Sequence, residues 1–525
     1  VVFAASFAKA RPTSCYNWFR YCEKLRSVDV SGWNLSNKVD LSGMFSFCKE
    51  LRSVIGLNTW NVSNITNMSM MFYSASSIEN IDDISNWDVS NVTNMAAMFQ
   101  YASNLKNLDL RNWNTSSVTN MAAMFSGTSS LTNIGDIGNW DVSNVIYMTN
   151  MFAKTDSLTN IGDIGNWNVS NVTDMSYMFA WARSLRNIGD IGNWNVSKVT
   201  NMSYMFNSSS LGKSLENIGN WNVANVTNMS YMFSLVRNLK SLDLSNWKVS
   251  KVTNMSYMFW SAFSLTNIGD IGNWDVSNVT NMQFMFRNID VKNLNLSNWN
   301  TAKVTKMDSM FGENESLEWL DLSNWDVSNV TDISYIFDRT PNLKWIDLSN
   351  WNLSKVTSMI NICRVIGSKT QLLIVTKDQK LKNYNYLNDG RIPTGPTFNA
   401  NGGVFPDGST TNSPFKTFVL ENNSDEAINK ILEEAIGKVS IPTKSGATFI
   451  GWEKRTSKVM DDVYDKLSAE YYAKWNNPPV INAEDKVLTV GASFNPLDGV
   501  TAEDPEDGPI TIKKEDVVSN VDTKV

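Results

Sequence analysis

Tryptophan recurs at a nearly fixed interval up to position 351, and this period constrains the fold more than any other feature. Successive tryptophans are 25 to 27 residues apart, and a phenylalanine lies 12 residues after each one except the last, where Cys363 takes its place. Such a period predicts stacked units with one continuous core, because a unit of this size cannot bury its own apolar face. Positions are counted below from the tryptophan of each repeat. The thirteen tryptophans are Trp33, Trp60, Trp87, Trp113, Trp140, Trp167, Trp194, Trp221, Trp247, Trp274, Trp299, Trp325 and Trp351.

One repeat is enough to predict the elements of each coil. The segment LKSLDL (239–244) has the LxxLxL spacing of a leucine-rich-repeat strand. The segment VTNMSYMF (252–259) places apolar residues at i, i+3, i+6 and i+7, which is helical spacing. The predicted fold class is therefore an α/β leucine-rich-repeat solenoid, with one short strand and one helical turn in every coil of 25–27 residues.

Composition removes several classes of function. The sequence has no histidine, which excludes Ser-His-Asp catalysis and histidine-ligated zinc. Its 45 basic and 52 acidic residues give a net charge of −7, which argues against nucleic-acid binding. The chain has no run of apolar residues long enough to insert into a membrane. We therefore expect no enzyme, no cofactor and no metal centre.

The repeat motif is specific enough to suggest a family. The motif NWDVSNVTNMSYMF, in thirteen registered copies over about residues 1–380, resembles the BspA-like leucine-rich-repeat surface proteins of bacteria. The resemblance implies an extracellular protein of the bacterial cell surface that adheres to host cells, to matrix or to other microbes. It does not imply one particular ligand.

The array is predicted to end in a cap and to be followed by two β-rich modules. Residues 1–390 are assigned to the solenoid, with 371–387 (QLLIVTKDQKLKNYNYL) as its C-terminal cap. Residues 397–476 resemble the Listeria–Bacteroides repeat, a β-grasp-like module, through NGGVF, PTKSGATFIGW and YYAKW. Residues 478–525 resemble part of a bacterial Ig-like domain of Gram-positive multidomain surface proteins. We expect a fragment of a longer protein, with its cell-wall attachment outside this sequence.

The second module contains one predicted helix. In DEAINKILEEAI (425–436) the residues Ile428, Ile431, Leu432 and Ile436 are predicted to share one face.

An aromatic column at position +10 is the first candidate binding surface. If position +8 faces inward on a helical turn, position +10 lies about 200° around it and faces outward. Aromatic rings suit both protein hot spots and the faces of sugar rings. The alternative is that the rings only stack on one another and stabilise the array. The column consists of Tyr177, Tyr204, Tyr231, Tyr257 and Phe284 in five consecutive coils.

Two tryptophans on the strands form the second candidate surface. Side chains alternate along a strand, so Trp319 is predicted to point outward next to the inward-facing Leu320, and Trp345 is predicted to repeat this one coil later. The alternative is that they pack against the C-terminal cap or the next domain.

An acidic column at position −4 has two interpretations. Its carboxylates would repel one another at strand spacing unless something compensates them. They either accept hydrogen bonds from serine or from backbone N–H groups of the adjacent turn, or they contact cations. The column consists of Asp29, Asp83, Asp109, Asp136, Asp163, Asp190, Asp243, Asp270, Asp321 and Asp347.

Two cysteines occupy equivalent places in adjacent coils. Stacking brings the Cα atoms of Cys22 and Cys48 within disulfide range, while small buried thiols fit the same places equally well. The sequence leaves both possibilities open.

The sequence as a whole favours an adhesin whose solenoid binds an extracellular protein or glycan while the C-terminal modules act as a stalk. A spacer or biofilm scaffold without a ligand is the alternative, and a carbohydrate-active enzyme is a weaker one. The sequence leaves the oligomeric state open.

Overall fold

The computed structural model describes residues 1, 9–10, 12–35, 39–343, 345–348, 350–364, 373–376, 378, 380–381, 396–412, 424–455, 466–467, 469–518. The chain divides into two compact units, Val1–Arg391 and Ile392–Val525. The predicted domain boundaries at 390, 397–476 and 478–525 stay predictions.

Short parallel strands stack along the first unit. The strands lie just before the tryptophans and pair in parallel as β1 with β2, β3 with β4 and β5 with β6. In some other coils the same place holds a single parallel bridge, as between Ser241 and Asn267, so the strand predicted over 239–244 is reduced to one bridge. The strands are β1 (Ser27–Asp29), β2 (Ser53–Ile55), β3 (Asn293–Asn295), β4 (Trp319–Asp321), β5 (Trp345–Asp347) and β6 (Leu373–Val375).

The strand β6 begins within the segment predicted to cap the array. It pairs with β5 in parallel and continues the stack. The other residues of 371–387 lie outside the described residues, except 376, 378 and 380–381.

The helical turn predicted in every coil is wrong. The N–H groups of Tyr257 and Phe259 donate to carbonyls of the next coil at 2.9 and 3.0 Å, whereas the N–H of Met258 donates within the coil to Met255, three residues back. A helix would direct these donors four residues back along the chain. The spacing i, i+3, i+6, i+7 fits consecutive turns as well as a helix, and the bonds between coils favour the turns.

Aromatic and methionine columns form the core. The phenylalanines at position +12 and the methionines at positions +8 and +11 are buried, as predicted. Phe233 stacks on Phe206 and Phe259 at centroid distances of 5.9 and 5.6 Å. The tryptophan indoles are buried as well. In the coils from Trp60 to Trp325, the indole Nε1–H of the repeat tryptophan donates to a backbone carbonyl of the preceding coil. Ring stacking and these bonds tie neighbouring coils together.

The repeated IGDIG segment has a steric requirement for glycine. Gly162 has a left-handed φ of 83°, and a Cβ atom there would collide with the Asp136 carboxylate of the preceding coil. Gly189 and Asp163 repeat this arrangement one coil later. The segment is thus a tight turn. Short 3-10 helices occur at Leu57–Thr59, Ile191–Asn193, Gly212–Leu215 and Ile218–Asn220.

The second unit contains a mixed four-stranded sheet and a helix. The sheet order is β8-β7-β10-β9, with β7 and β10 parallel and the other pairs antiparallel. Phe398, Tyr471 and Trp475 are buried in this part of the chain. The elements are β7 (Thr397–Asn399), β8 (Thr411–Asn412), α1 (Asp425–Lys438), β9 (Thr448–Arg455) and β10 (Glu470–Asn476).

The helix α1 forms where it was predicted, but its buried face is rotated. Its buried residues are Ile428, Leu432 and Ala435, whereas Ile436 is exposed. At 100° per residue, position 435 returns to about 20° from Ile428 while position 436 lies about 80° away. Ser424 caps the helix by accepting the N–H of Ala427 at 3.2 Å.

A small antiparallel sheet follows in the same unit. Its order is β11-β12-β13, and Val480 and Ile481 of its first strand are exposed. The resemblance to an Ig-like domain stays a prediction for this segment. The strands are β11 (Val480–Asn482), β12 (Thr501–Asp504) and β13 (Gly508–Ile510), followed by a 3-10 helix at Lys514–Asp516.

Removal of one core ring should destabilise the array strongly. We expect Phe233→Ala to lower the free energy of unfolding by about 3–5 kcal/mol, because the ring is fully buried between two others. Urea denaturation followed by circular dichroism measures this loss. Phe263→Ala is the control, since Phe263 is 48 % exposed, and it should change stability by less than about 0.5 kcal/mol. Equal effects of the two changes would contradict the stacked core.

Candidate ligand-binding surface

The five aromatic residues at position +10 form one continuous stack. Neighbouring rings from Tyr177 to Phe284 lie 4.2 to 4.5 Å apart between centroids, with planes inclined by less than 10°. We call this stack the aromatic ridge; it consists of Tyr177, Tyr204, Tyr231, Tyr257 and Phe284. The ring contacts are therefore present that the alternative interpretation requires, in which the rings only stack on one another and stabilise the array.

A left-handed backbone, not a helical turn, sets the direction of the ridge. All five residues have φ of 58° or 59°, and their side chains are half-buried. The predicted outward direction is thus reached only in part. Burial raises the pKa of Tyr177 and of Tyr231, and the neighbouring tyrosines raise both further. The ridge is therefore partly accessible to solvent along its length.

The fold does not require aromatic residues at position +10. The preceding coils carry Ala97, Ala123 and Asn150 at this position with φ of 56–58°, nearly the same backbone conformation. The aromatic run is therefore a property of five coils and not of the repeat.

The two strand tryptophans differ in what the structure describes. Trp319 is 39 % exposed on β4 beside the buried Leu320, so it points outward as strand alternation predicted. The backbone of Trp345 lies in β5 beside it, whereas its side chain is outside the described residues.

A second aromatic cluster near the N-terminus was missed by the sequence reasoning. Tyr21 stacks on Phe47 at 4.6 Å, and Tyr73 and Tyr101 continue the contacts edge-on at 5.0 and 5.9 Å. Arg20 lies 4.9 Å from the ring centroid of Tyr21, which is 58 % exposed. The signal was the recurrence of aromatic residues at positions +13 and +14.

The acidic column at position −4 follows the first of its two interpretations. Asp136 accepts the N–H of Gly138 at 2.9 Å, and Asp243 accepts the N–H of Ser245 at 3.0 Å. Hydrogen bonds from the Ser245 hydroxyl and backbone hold the pKa of Asp243 below its usual value. The carboxylates therefore close turns, which accounts for a like-charged column without bound cations.

An amide column at position +4 was also missed. Asn144 and Asn171 each donate their side-chain amide to a backbone carbonyl of the preceding coil, at 2.8 and 2.7 Å.

The described part of the chain contains no group of side chains that could hold a metal ion. There, no three histidine, cysteine, aspartate or glutamate side chains converge. In the C-terminal acidic segment, Asp504 accepts the N–H groups of Glu506 and Asp507 at 2.9 and 3.0 Å, and these bonds lower its pKa.

The four cysteines are free thiols in the structure. Cys22 is exposed, whereas Cys48 is buried and donates its thiol to the carbonyl of Phe19 at 2.9 Å. Burial, with a contribution from Cys22, raises the pKa of the Cys48 thiol to about 12. Burial also raises that of Cys15 to about 12.

Parallel strand positions, one per coil, and continuous apolar columns define a leucine-rich-repeat type of solenoid. The chain belongs to the family described as "Mycoplasma protein of unknown function, DUF285". The family model matches residues 13–133, 103–213, 186–268 and 263–373, which together cover the array.

Several solved structures are similar to this chain at low identity and low TM-score. A leucine-rich repeat protein from Bacteroides ovatus is 13 % identical over 65 % of this chain and 85 % of its own, with a TM-score of 0.36. A leucine-rich cell surface protein from Faecalibacterium prausnitzii is 15 % identical over 70 % and 82 %, with a TM-score of 0.32. An internalin from Listeria monocytogenes is 14 % identical over 64 % and 87 %, with a TM-score of 0.18. No curated protein gives a significant match. The helices among the described residues are all too short or too polar to span a bilayer.

The ridge hydroxyls should make stability fall at alkaline pH. The pKa of Tyr231 is raised in the folded chain, so its contribution is fully present below the unfolded value of about 10 and is lost as the pH rises above it. We expect Tyr231→Phe to reduce the fall of the melting temperature between about pH 9 and pH 11. Tyr16→Phe is the control, since Tyr16 is 56 % exposed, and should follow the wild type. Identical profiles for all three proteins would contradict the burial of the Tyr231 hydroxyl.

Only one thiol should react quickly in the folded chain. We expect Cys22 to be labelled by a maleimide near pH 8, because it is exposed, while the buried thiols with raised pKa react slowly. Mass spectrometry under native and denaturing conditions should count one and four labels. Cys22→Ser should abolish the fast label. Absence of a fast label, with two thiols recovered only after reduction, would instead establish a Cys22–Cys48 disulfide.

Proposed function

We propose that the protein is an extracellular adhesin that binds a protein or glycan of a host or microbial surface through the aromatic ridge. The observation that carries this proposal is a half-buried aromatic stack, confined to five coils, at a position where other coils carry Ala97, Ala123 or Asn150. A run of partly accessible rings that the fold does not demand is an apolar surface of the kind that marks interaction sites.

The chemistry of the ridge suits a surface ligand. Tyrosine offers a large apolar ring together with a hydroxyl that can donate or accept a hydrogen bond. The parallel stacking fixes the rings before a ligand arrives, which reduces the entropy lost on binding.

The cell-surface location and the stalk role of the C-terminal modules are parts of the same proposal. They are supported by the resemblance of the repeats to BspA-like surface proteins and of residues 397–476 and 478–525 to modules of Gram-positive surface proteins. In this arrangement the second unit carries no ligand and projects the array from the cell wall.

The contacts within the ridge favour a second candidate, a spacer or scaffold without a ligand. Stacked pairs are worth about 0.5–1.5 kcal/mol beyond burial, so stability alone could account for some of the run. A carbohydrate-active enzyme is less well supported. Burial and the neighbouring Asp332 raise the pKa of Asp308, but Asp332 itself accepts the N–H of Ser334 at 2.8 Å and closes a turn.

The decisive variant replaces four ridge tyrosines, Tyr177, Tyr204, Tyr231 and Tyr257, by serine in the full chain. Wild type and variant are applied to arrayed matrix proteins, host cells and glycans. We expect saturable binding by the wild type and a loss of about tenfold or more in the variant, since aromatic anchors dominate interfaces. The single change Tyr204→Ser, with folding checked by circular dichroism, covers the case in which the fourfold variant does not fold.

A matched control carries the same four substitutions at exposed tyrosines outside the ridge. These residues are Tyr16, Tyr21, Tyr101 and Tyr147, which are 41 to 58 % exposed. Binding should survive in the control. Loss only in the control would place the site on the N-terminal cluster, and loss only after Trp319→Ser with Trp345→Ser would place it on the strand face. Absence of binding by the wild type would favour the spacer.

A further inference from the structure

A groove of about 500 Å³ lies beside one end of the aromatic ridge. It crosses the coils of Trp167, Trp194 and Trp221 on their turn side. Its lining includes Trp181, Arg183, Arg186, Ser209, Arg237 and Asn238. We call it the basic groove.

The basic groove carries positive charge in an acidic protein. The chain has a net charge of −7, yet three arginines and no carboxylate line this groove. Arg183 pairs with Asp156 at 3.1 Å. Within the described part of the chain, Arg186 and Arg237 have no carboxylate within ion-pair distance, and both are exposed. Two guanidinium groups are therefore available to an oxyanion, which such planar groups bind in a bidentate manner.

Trp181 gives the groove an aromatic wall. Its ring is half-buried and stacks on Tyr177 and Tyr204 at 6.1 and 6.4 Å, which links the groove to the ridge. The ammonium group of Lys154 lies 5.5 Å from the ring centroid. A flat ring next to cationic groups suits a ligand that has both an apolar ring face and an acidic substituent.

Some polar groups of the groove wall are fixed by hydrogen bonds to neighbouring coils, and one has no hydrogen-bond partner among the described residues. Ser210 donates to the carbonyl of Arg183 at 2.7 Å, and Asn238 donates to the carbonyl of Ser210 at 2.7 Å, so the three coils are tied together. Ser209 is 3 % exposed, and its hydroxyl has no hydrogen-bond partner among the described residues. A buried hydroxyl without a partner costs stability and is a candidate for ligand contact.

The charge is confined to a short stretch. Arg183 and Arg237 occupy the same position two coils apart, hence about 10 Å along the array. One coil earlier this position holds Asp156, and one coil later it holds Phe263. The adjoining groove, lined by Lys213 and Lys240, also contains Glu216 and Asp243 and so has no net charge. The stretch is too short for a long phosphodiester, which needs a continuous basic track.

We propose that the basic groove binds an acidic glycan. In this assignment Arg186 and Arg237 bind sulfate or carboxylate substituents, and the face of a sugar ring packs on Trp181. The inference deepens the adhesin proposal, on which it rests for the biological role, by giving the class of surface ligand.

The test uses the full chain and heparin oligosaccharides as the probe. Titration calorimetry near 0.15 M salt should detect saturable binding that neutral dextran does not give. We expect Arg186→Glu with Arg237→Glu to weaken binding about tenfold or more. Each substitution would turn an attractive contact with an anionic group of the glycan into a repulsive one. Trp181→Ala should weaken it by a similar factor. Arg186→Lys with Arg237→Lys, which keeps the charge but not the planar fork, should lie between wild type and the double reversal.

A second double reversal provides the matched control. Arg52→Glu with Lys106→Glu changes the net charge by the same amount on exposed residues at position +19, where Arg186 also lies. It should change affinity by less than about twofold. Equal weakening by both double reversals would overturn the proposal in favour of diffuse charge attraction. Melting temperatures check that every variant is folded.

Two further outcomes would also overturn it. One is the absence of heparin binding by the wild type. The other is equally tight, Trp181-dependent binding of an oligothymidylate, which would assign the groove to nucleic acid. If heparin does not bind but surface binding still depends on the ridge tyrosines, the glycan assignment fails alone. If the ridge variant binds surfaces as the wild type does while heparin binding is intact, the ridge proposal fails instead.

Discussion

The backbone hydrogen bonds between turn segments of adjacent coils set the geometry of the array. Every second N–H of this segment, such as those of Met255, Tyr257 and Phe259, donates to the next coil at 2.9 to 3.0 Å. These bonds hold equivalent residues one strand step apart, about 4.8 Å. All the remaining columns of the first unit follow from this spacing between coils. A residue type that recurs at one position of the repeat must contact its copy in the next coil.

Each residue type accommodates the contact with its copy in the adjacent coil in a different way. Buried phenylalanines turn it into ring stacking, and the tryptophans add a hydrogen bond from the indole to the preceding coil. Aspartates at position −4 would repel one another, but backbone N–H groups of the adjacent turns compensate their charge. Asparagines at position +4 complete the ladder through carbonyls of the preceding coil. The repeat is therefore conserved along the chain for reasons of packing and satisfied polar groups, not of ligand binding.

Both proposed binding surfaces lie where the chain departs from its own repeat. The aromatic ridge is such a departure, because it occupies five coils at a position that accepts alanine or asparagine elsewhere. The basic groove is another, and it crosses the coil that contains the 3-10 helix Gly212–Leu215. The two features meet at Trp181, whose ring touches Tyr177 and Tyr204. A ligand that occupied both would contact an aromatic surface and a cationic one within a few coils.

The sequence by itself determined the period and the core columns, because both depend only on the recurrence of one residue type, and strand alternation indicated the outward side of Trp319. The role of the Asp136-type carboxylates stayed open until the structure showed the turn N–H groups that they accept. The sequence also located helix α1, but not its rotation, which left Ile436 exposed. Only the tertiary structure decided that turns replace helices, since the bonds between coils capture N–H groups whose destination a single repeat cannot specify. The basic groove was likewise invisible in the sequence. Arg186 and Arg237 lie 51 positions apart, and only stacking places them in one cavity.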